Sequence, residues 1–409
     1  MFTPATTLNV ESEKAKEIIE TLEDYTVLIS TSCHRGTGWF LDFDIPNKGR
    51  YPTTWYVGTN SHVASKFLLG DKYKVGNPIN SSSLDQKCYN NKKQTPIHLG
   101  RRWSYESFNN KPRNRDRLED AAFWHAAQSK KEKKNYNLAK VSASSLNTNI
   151  KDNAPKFVST EPKEANFFYQ PRNFIKTSAN RKGKDYTKDF TVIEVTFKDE
   201  NEARIITNNL FGKYHSSSTK YRNPLNFFHS GFKSATSSEL NNKAFFTVGY
   251  PTNGWSSHLP FSNYSSSKRR AGKLKSNFVS DSWKDWLKIT WNKKDYWNWG
   301  YRHVLENSFS GAGASGSLVS DINGNVLGLY SAIDREGKNW GLIEPLRTVK
   351  TSTNNHPDLS PEHDLLSGSK DQTSSFKSEV IKNKRKTWMA RKMGWIKIVS
   401  SKSKTSKKR

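Results

Sequence analysis

The stretch Gly311-Ala312-Gly313-Ala314-Ser315-Gly316-Ser317-Leu318-Val319 constrains this chain more than any other, because it sets a serine among glycines at the mouth of an apolar strand. A serine that is to attack an electrophile needs a sharp turn that exposes its hydroxyl and leaves backbone N–H groups free beside it to hold an oxyanion. Small residues permit both, since they tolerate backbone conformations that a Cβ disfavours. The same string also fits a small-residue turn ahead of a hairpin. What separates the two is whether the rest of the chain supplies a base and an acid. Downstream, Ser317–Ser320, Asp321–Gly324 and Asn325–Ser331 read as strand, turn and strand, with Asn323-Gly324 predicting a tight hairpin.

Toward the N-terminus, Ala15, Ile18, Ile19 and Leu22 recur at helical spacing within Glu11–Leu22, predicting a short amphipathic helix docked on the body. Tyr25–Ser30, Gly36–Phe43 and Trp55–Asn60 follow as strands. The third runs directly into Ser61-His62-Val63-Ala64, so His62 would be held rigidly at a strand end, where a general base is best placed. A half-buried structural histidine is the alternative. Of the other histidines, His125 and His303 are the least easily set aside. Gly70 to Lys188 is rich in Lys, Asn, Ser and Arg with few apolar alternations and reads as long loops and insertions, with Leu118–Trp124 one ordered island. Asp189–Phe197 is a β-branched, alternating strand opened by an acid, which can be buried against an imidazole while its strand anchors it. Glu202–Leu210 reads as a helix and Ser216–Ser238 as a polar loop. Ala244–Pro251 is a strand ended by proline, and Asn253–Tyr301 a Trp- and Lys-rich insertion.

A chain of 409 residues fits two or three domains or one large β-rich unit. Only 33% of residues are hydrophobic, yet 13 Trp, 16 Tyr and 22 Phe supply bulky core material, which implies a folded body with polar insertions. The net charge of +28 suits nucleic acid, an anionic membrane surface or an acidic protein partner. Twelve Lys/Arg and no acid fall between Ile381 and Arg409, so much of the charge sits in an appended tail, which disfavours nucleic acid. Thr351–Glu379, dominated by Ser, Thr, Asn, Asp and Pro, reads as a linker ahead of that basic tail of residues 380–409. In the tail, Trp388, Met389, Met393, Trp395, Ile396 and Val399 gather loosely on one side of a cationic helix, suiting an anionic membrane surface or acidic partner. Cys33 and Cys88 are too few for a disulfide framework and lack zinc-site spacing, although one disulfide between them stays open. Cys33 and His34 are adjacent and would face opposite ways on a strand, which argues against a catalytic pair. No run of eighteen apolar residues and no recognisable export signal is visible in this sequence.

His62, Asp189 and Ser315 thus each stand at the start or end of a β-like run. They supply the roles of acyl transfer: a serine to attack, an imidazole to take its proton, and a carboxylate to fix the tautomer and stabilise the imidazolium. The N–H groups of Gly313 and Ser315 would form the oxyanion hole, worth roughly 3–4 kcal/mol per donor. This chemistry calls for no metal and no organic cofactor.

At these residues the sequence resembles the trypsin-like serine peptidases, and more closely the mycoplasma immunoglobulin protease family. Gly36–Trp39 is similar to that family's opening strand, Thr59–Ala64 to its histidine motif, Asp189–Val195 to its aspartate strand and Gly313–Ser317 to its nucleophile turn; Val248–Pro251 also fits. The resemblance runs over about residues 25–346. It implies a mainly β, two-barrel chymotrypsin-like fold with long insertions and a basic C-terminal tail. His62 and Asp189 would come from a first barrel of about residues 25–200 and Ser315 from a second of about 240–350, with residues 1–24 as a helix packed on the body. It implies a serine endopeptidase that cleaves protein substrates through an acyl-enzyme, immunoglobulin being the substrate the family suggests, outside the cell or at its surface. A catalytically silent module of the same fold that binds immunoglobulin or another host protein is the alternative. The 127 residues from His62 to Asp189 exceed the spacing of compact trypsin-like enzymes. Asp120, 58 residues beyond His62, is the rival; Asp189 has the better-patterned strand and matches the family motif. By the same resemblance, Ser331 belongs to the strand that pairs with substrate backbone. Phe309, six residues before Ser315, falls at the base of the primary pocket, where the lack of a carboxylate disfavours selection of Lys or Arg.

Overall fold

Runs of β-branched and aromatic residues build two large sheets beside three small ones among the described residues, and the acid and the imidazole are neighbours because of a strand register. The computed structural model describes residues 5–31, 34–78, 97–103, 141–142, 156–176, 185–215, 225–230, 240, 243–251, 261–262, 272–278, 288–298, 300–305, 311–333, 341–353 and 356–396. The first half of the chain supplies β1 (Thr26–Ser30), β2 (Arg35–Phe43), β3 (Thr54–Thr59), β4 (His98–Trp103), β5 (Val141–Ser142), β6 (Lys156–Thr160), β7 (Glu164–Tyr169), β8 (Tyr186–Thr187) and β9 (Thr191–Thr196). All but β8 form one eight-stranded sheet in the order β5-β6-β4-β1-β2-β3-β9-β7. Within it β3 and β9 are antiparallel with Thr59 opposite Thr191. The residue three beyond Thr59 and the residue two before Thr191 therefore emerge at one edge: they are His62 and Asp189.

The second half supplies β10 (Ala244–Gly249), β11 (Phe261–Ser262), β12 (Gly272–Phe278), β13 (Lys288–Trp291), β14 (Lys294–Asn298), β15 (Tyr301–Leu305), β16 (Leu318–Asp321), β17 (Val326–Ile333) and β18 (Gly341–Pro345). The order β10-β12-β15-β18-β17-β16 returns to its start through a β10–β16 pairing, so six antiparallel strands close on themselves and β11 adds to β10. Closure leaves no edge among those six for another chain to pair with. The architecture is mainly β as expected, but where two barrels were expected only the second sheet closes: among the described residues no pairing joins β5 to β7 in the first. The β16–β17 hairpin forms at Asn323-Gly324, but only the glycine takes a positive φ, +79°. The connection is thus a longer turn than a two-residue hairpin with both central residues left-handed.

Three stretches differ from expectation. The span from Gly70 to Lys188 contributes β4, β6 and β7 to the first sheet and is not insertion alone. Their pattern is hidden because buried slots hold polar groups. Arg101 of β4 is fully buried, and its guanidinium donates to the carbonyls of Glu23, Asp24 and Ile206. It thereby satisfies the last carbonyls of α1 (Ala5–Tyr25), whose Ala15, Ile18, Ile19 and Leu22 are buried as the helical spacing predicts. Likewise the Asn253–Tyr301 stretch contains the β13–β14 hairpin, whose Trp297 and Asn298 pair in parallel with Tyr186 and Thr187 of β8. Leu118–Trp124 with Asp120, His125, Cys33, Cys88 and Phe309 lie outside the described residues.

The C-terminal region is the third difference. Arg347–Thr348 (β19) pairs with His363–Asp364 (β22), and Thr351–Thr353 (β20) with His356–Ser360 (β21). A helix follows at Phe376–Lys382 behind a capping box on Ser375, and a shorter one at Trp388–Lys392 behind Thr387. Leu365, Leu366, Phe376, Val380, Met389 and Ala390 are wholly buried, so residues 361–396 are part of the body and not a linker with a loose tail. Trp388 stacks on Phe43 at 6.0 Å and Trp395 meets Phe376 edge-on at 6.3 Å. These rings cover the first sheet, which takes most of the apolar side expected for a membrane surface; Val399 lies outside the described residues.

Arg385 pins this segment down. It pairs with Asp44, lies 2.9 Å from Glu194 Oε2 and donates to the Tyr56 hydroxyl at 2.8 Å. Glu194 is only 1% exposed and also receives Lys72 at 2.9 Å and the Tyr73 hydroxyl. Removing one partner of a buried ion pair strands the other, but Glu194 would keep Lys72 and the hydroxyls of Tyr73 and Tyr56 as donors. Arg385→Met is therefore expected to cost about 2 kcal/mol of stability, read as a lower midpoint in thermal or urea unfolding. An unchanged midpoint would show the segment to be a passive cover.

Candidate active site

The strand β3 ends at Thr59, and a single helical turn, α2 (Ser61–Ala64), carries His62. The polar residues between them serve to hold the acid-bearing loop. Asn60 donates its amide to the Asp189 carbonyl at 2.8 Å, and the Ser61 hydroxyl donates to the Phe190 carbonyl at 2.7 Å. Asp189 then grips His62 at two points. Its Oδ1 accepts from the His62 backbone N–H at 3.0 Å, and its Oδ2 lies 2.8 Å from His62 Nδ1. The Asp189 side chain is 6% exposed and that of His62 39%, so the acid is buried behind a ring that faces the solvent side.

Burial by itself would raise the Asp189 carboxyl. The His62 ring beside it, the Ser331 hydroxyl and the Arg302 charge outweigh burial and hold it well below the usual carboxylate range. An ionised Oδ2 can only accept, so Nδ1 of the neutral ring is the donor and Nε2 carries the lone pair. The geometry thus fixes the tautomer that a general base needs.

The serine turn lies in the second half, against β2 of the first. Gly313 and Gly316 have φ of +91° and +97°. Any side chain at Gly316 would collide with the Thr37 carbonyl, which is why a glycine must follow Ser315. Thr37 clamps the turn from both sides: its N–H donates to the Ser315 carbonyl at 2.9 Å and its hydroxyl to the Gly313 carbonyl at 2.9 Å. The same hydroxyl accepts from the Tyr250 N–H at 2.9 Å. Gly316 N–H donates to the Tyr330 carbonyl at 2.8 Å, tying the turn to β17. Among the described residues, the N–H groups of Gly313 and Ser315 have no backbone acceptor, which leaves both able to meet an oxyanion.

Ser331 joins the two halves, in a way its sequence did not disclose. The β17–β18 register slips between Tyr330 and Ala332, making Ser331 the extra residue of a bulge. A bulge re-aims its side chain, and here the hydroxyl donates to Asp189 Oδ2 at 2.5 Å. Its carbonyl accepts from the Ser315 hydroxyl at 3.2 Å. The strand position expected to pair with substrate backbone therefore also braces the acid and accepts the serine's hydrogen bond. Among the described residues no hydrogen bond joins Ser315 to His62, and no group of three or more His, Cys, Asp or Glu is gathered to hold a metal ion. Residues that sequence reasoning passed over are Asn60, Ser61, Thr37 and the Ser331 hydroxyl. A polar triplet directly after an apolar strand was the available signal for the first two.

A family profile described as mycoplasma immunoglobulin protease matches residues 8–332. Among solved structures, "Structure of the mycoplasma MIB and MIP proteins" is similar at a TM-score of 0.52 and 17% identity, covering 90% of this chain and 61% of that one, a likeness of fold. The inactive form of the Rv3671c protease of M. tuberculosis gives a TM-score of 0.33 at 11% identity, covering 84% of this chain and 92% of that one. A curated relative, "Membrane-associated lipoprotein" of Ureaplasma parvum serovar 3 (strain ATCC 700970), is 34% identical over 65 residues, 13% of this chain and 8% of the relative. The chain thus spans less than two thirds of the mycoplasma structure and a small part of the lipoprotein. Among the described residues, no helix is long and apolar enough to cross a membrane.

Proposed function

Since the chain belongs to the mycoplasma immunoglobulin protease family, we propose that it is a serine endopeptidase in which Ser315 attacks, His62 moves the proton and Asp189 orients His62. The observation that carries this reading is the two-point hold of Asp189 on His62, at 3.0 and 2.8 Å, with Ser331 linking that carboxylate to Ser315. A buried carboxylate that fixes one imidazole tautomer beside a glycine-flanked serine is what acyl transfer requires. The Ser315 hydroxyl donates its hydrogen bond to the Ser331 carbonyl, and rotation about its Cα–Cβ bond would turn the hydroxyl to His62 Nε2 as substrate seats.

In the reaction, Nε2 takes the hydroxyl proton while the Ser315 oxygen bonds to the peptide carbonyl carbon. The N–H groups of Gly313 and Ser315 hold the resulting oxyanion. His62 then gives the proton to the departing amine as the C–N bond breaks, leaving an acyl-enzyme. Water, deprotonated by the same nitrogen, releases the acid and restores Ser315. The family description supports a protein substrate, with immunoglobulin the first to try. The lipoprotein relative supports a place at the cell surface.

The Ser315–Ser331 hydrogen bond also suits a second reading, a protease-fold module that binds immunoglobulin with its serine parked. Labelling separates the two. An activated serine is expected to react covalently with a fluorophosphonate at Ser315, and the protein to release fragments from immunoglobulin. Protein that binds immunoglobulin yet takes no label would leave only the module.

A further inference from the structure

Directly behind Asp189 lies a buried charged cluster that this reaction does not use. Lys188 Nζ is 2.8 Å from Glu344 Oε1, and neither side chain is exposed. Arg302 Nη2 lies 3.3 Å from Glu344 Oε2. The Asn298 amide donates to that same oxygen, while its carbonyl oxygen accepts from Lys188 at 3.3 Å. Glu344 Oε2 also accepts from the backbone N–H of Asp189, at 3.4 Å. Three elements of the second half thus converge on Lys188 and Asp189, just ahead of β9: β18 brings Glu344, β15 brings Arg302, and β14 brings Asn298 opposite Thr187.

Ions buried this completely lose more hydration than their pairing commonly returns, and apolar residues of the same size often serve stability as well. What apolar residues cannot supply is an acceptor for the Asp189 N–H and a balanced field beneath its carboxylate. The remaining titratable groups that face Glu344 are Tyr186, His303 and His363. Burial pushes Tyr186 up and pushes both histidines down to about 4, so near neutral pH none of them is charged. The charges at the back of the site are then Lys188 and Arg302 against Glu344 and Asp189, two of each sign.

We propose that Glu344 is a positioning residue for the triad acid: from the second barrel it anchors the Asp189 backbone and, by balancing Lys188 and Arg302, sets the field in which Asp189 and His62 work. The inference rests on the serine peptidase reading and explains why the catalytic acid and the nucleophile, carried by different sheets, stay in register.

The test is the rate of fluorophosphonate labelling against pH for the full chain and for Glu344→Gln, Glu344→Leu, Lys188→Met and the Glu344→Gln/Lys188→Met pair. Loss of the anion disfavours a protonated ring nearby and loss of the cation favours it. The acid limb of the Glu344→Gln profile is therefore expected at lower pH and that of Lys188→Met at higher pH. Glutamine keeps a carbonyl oxygen for the Asp189 N–H, so the Glu344→Gln plateau should stay near wild type, whereas Glu344→Leu, which removes that acceptor, should lower the plateau about tenfold. Opposite displacements are not what a merely structural role produces. The charge-neutral pair should bring the limb back to the wild-type pH, and it carries the test if Glu344→Gln does not fold. Superimposable profiles would overturn the inference. A wild-type chain that takes no label would defeat the peptidase reading by itself. In that case the low-field proton resonance of the His62–Asp189 hydrogen bond, followed against pH without catalysis, must show the same opposite displacements or the inference falls.

Discussion

Ser315→Ala is expected to lower peptide hydrolysis roughly a millionfold, to the level that binding and the oxyanion donors sustain unaided. The fold should survive, because among the described residues the Ser315 hydroxyl makes one hydrogen bond, to the Ser331 carbonyl at 3.2 Å. Its loss is worth about 1 kcal/mol at most. The turn is held by other groups: the Thr37 N–H and hydroxyl on the Ser315 and Gly313 carbonyls, and the Gly316 N–H on the Tyr330 carbonyl. Unfolding midpoints should then nearly coincide while single-turnover rates differ. Undiminished cleavage by the alanine variant would remove Ser315 from the chemistry, whatever its neighbours.

His62 and Asp189 were legible from sequence because each borders a strand whose burial pattern is regular, and the Thr59–Thr191 register does the rest. The glycine-flanked serine was legible for a similar reason, since a positive φ leaves a compositional mark at Gly313 and Gly316. The hold of the Ser331 hydroxyl on Asp189 was not legible, because a register slip between Tyr330 and Ala332 leaves no trace in periodicity. The Lys188–Glu344 pair did leave one: a glutamate inside Gly341-Leu342-Ile343-Glu344-Pro345 is a charge in an otherwise apolar strand. Such a charge signals a buried partner, but its identity depends on which strands meet. The C-terminal region was obscured by its Ser, Thr and Asp content. Those residues cap helices and turns there, as Ser375 and Thr387 do, while a few apolar residues at wide spacing complete the core.

Asp189→Asn is expected to lower kcat about ten-thousandfold with KM little changed, and the reason is a forced tautomer. The position of Oδ1 must stay an acceptor, because the His62 backbone N–H points at it from 3.0 Å. The asparagine oxygen therefore takes that place and its NH2 takes the place of Oδ2, facing His62 Nδ1. Two donors cannot face each other, so Nδ1 becomes the acceptor and the ring proton moves to Nε2, where no base remains for Ser315. The Ser331 hydroxyl, which donates to Oδ2 at 2.5 Å, loses its acceptor as well. The pH dependence has a definite sign. The folded Asp189 carboxyl lies below its unfolded value, with its ionised form held by His62, Ser331 and Arg302 against burial. Its contribution to stability is therefore fully present above the unfolded value of about 4 and is lost as pH falls toward the folded one. The stability gap between wild type and Asp189→Asn should be constant near neutrality and narrow progressively below about pH 4. Asp120→Asn should leave both rate and stability profile unchanged. If the two variants exchanged these behaviours, the orienting acid would be Asp120, and the two-point grip of Asp189 on His62 would be a structural contact only.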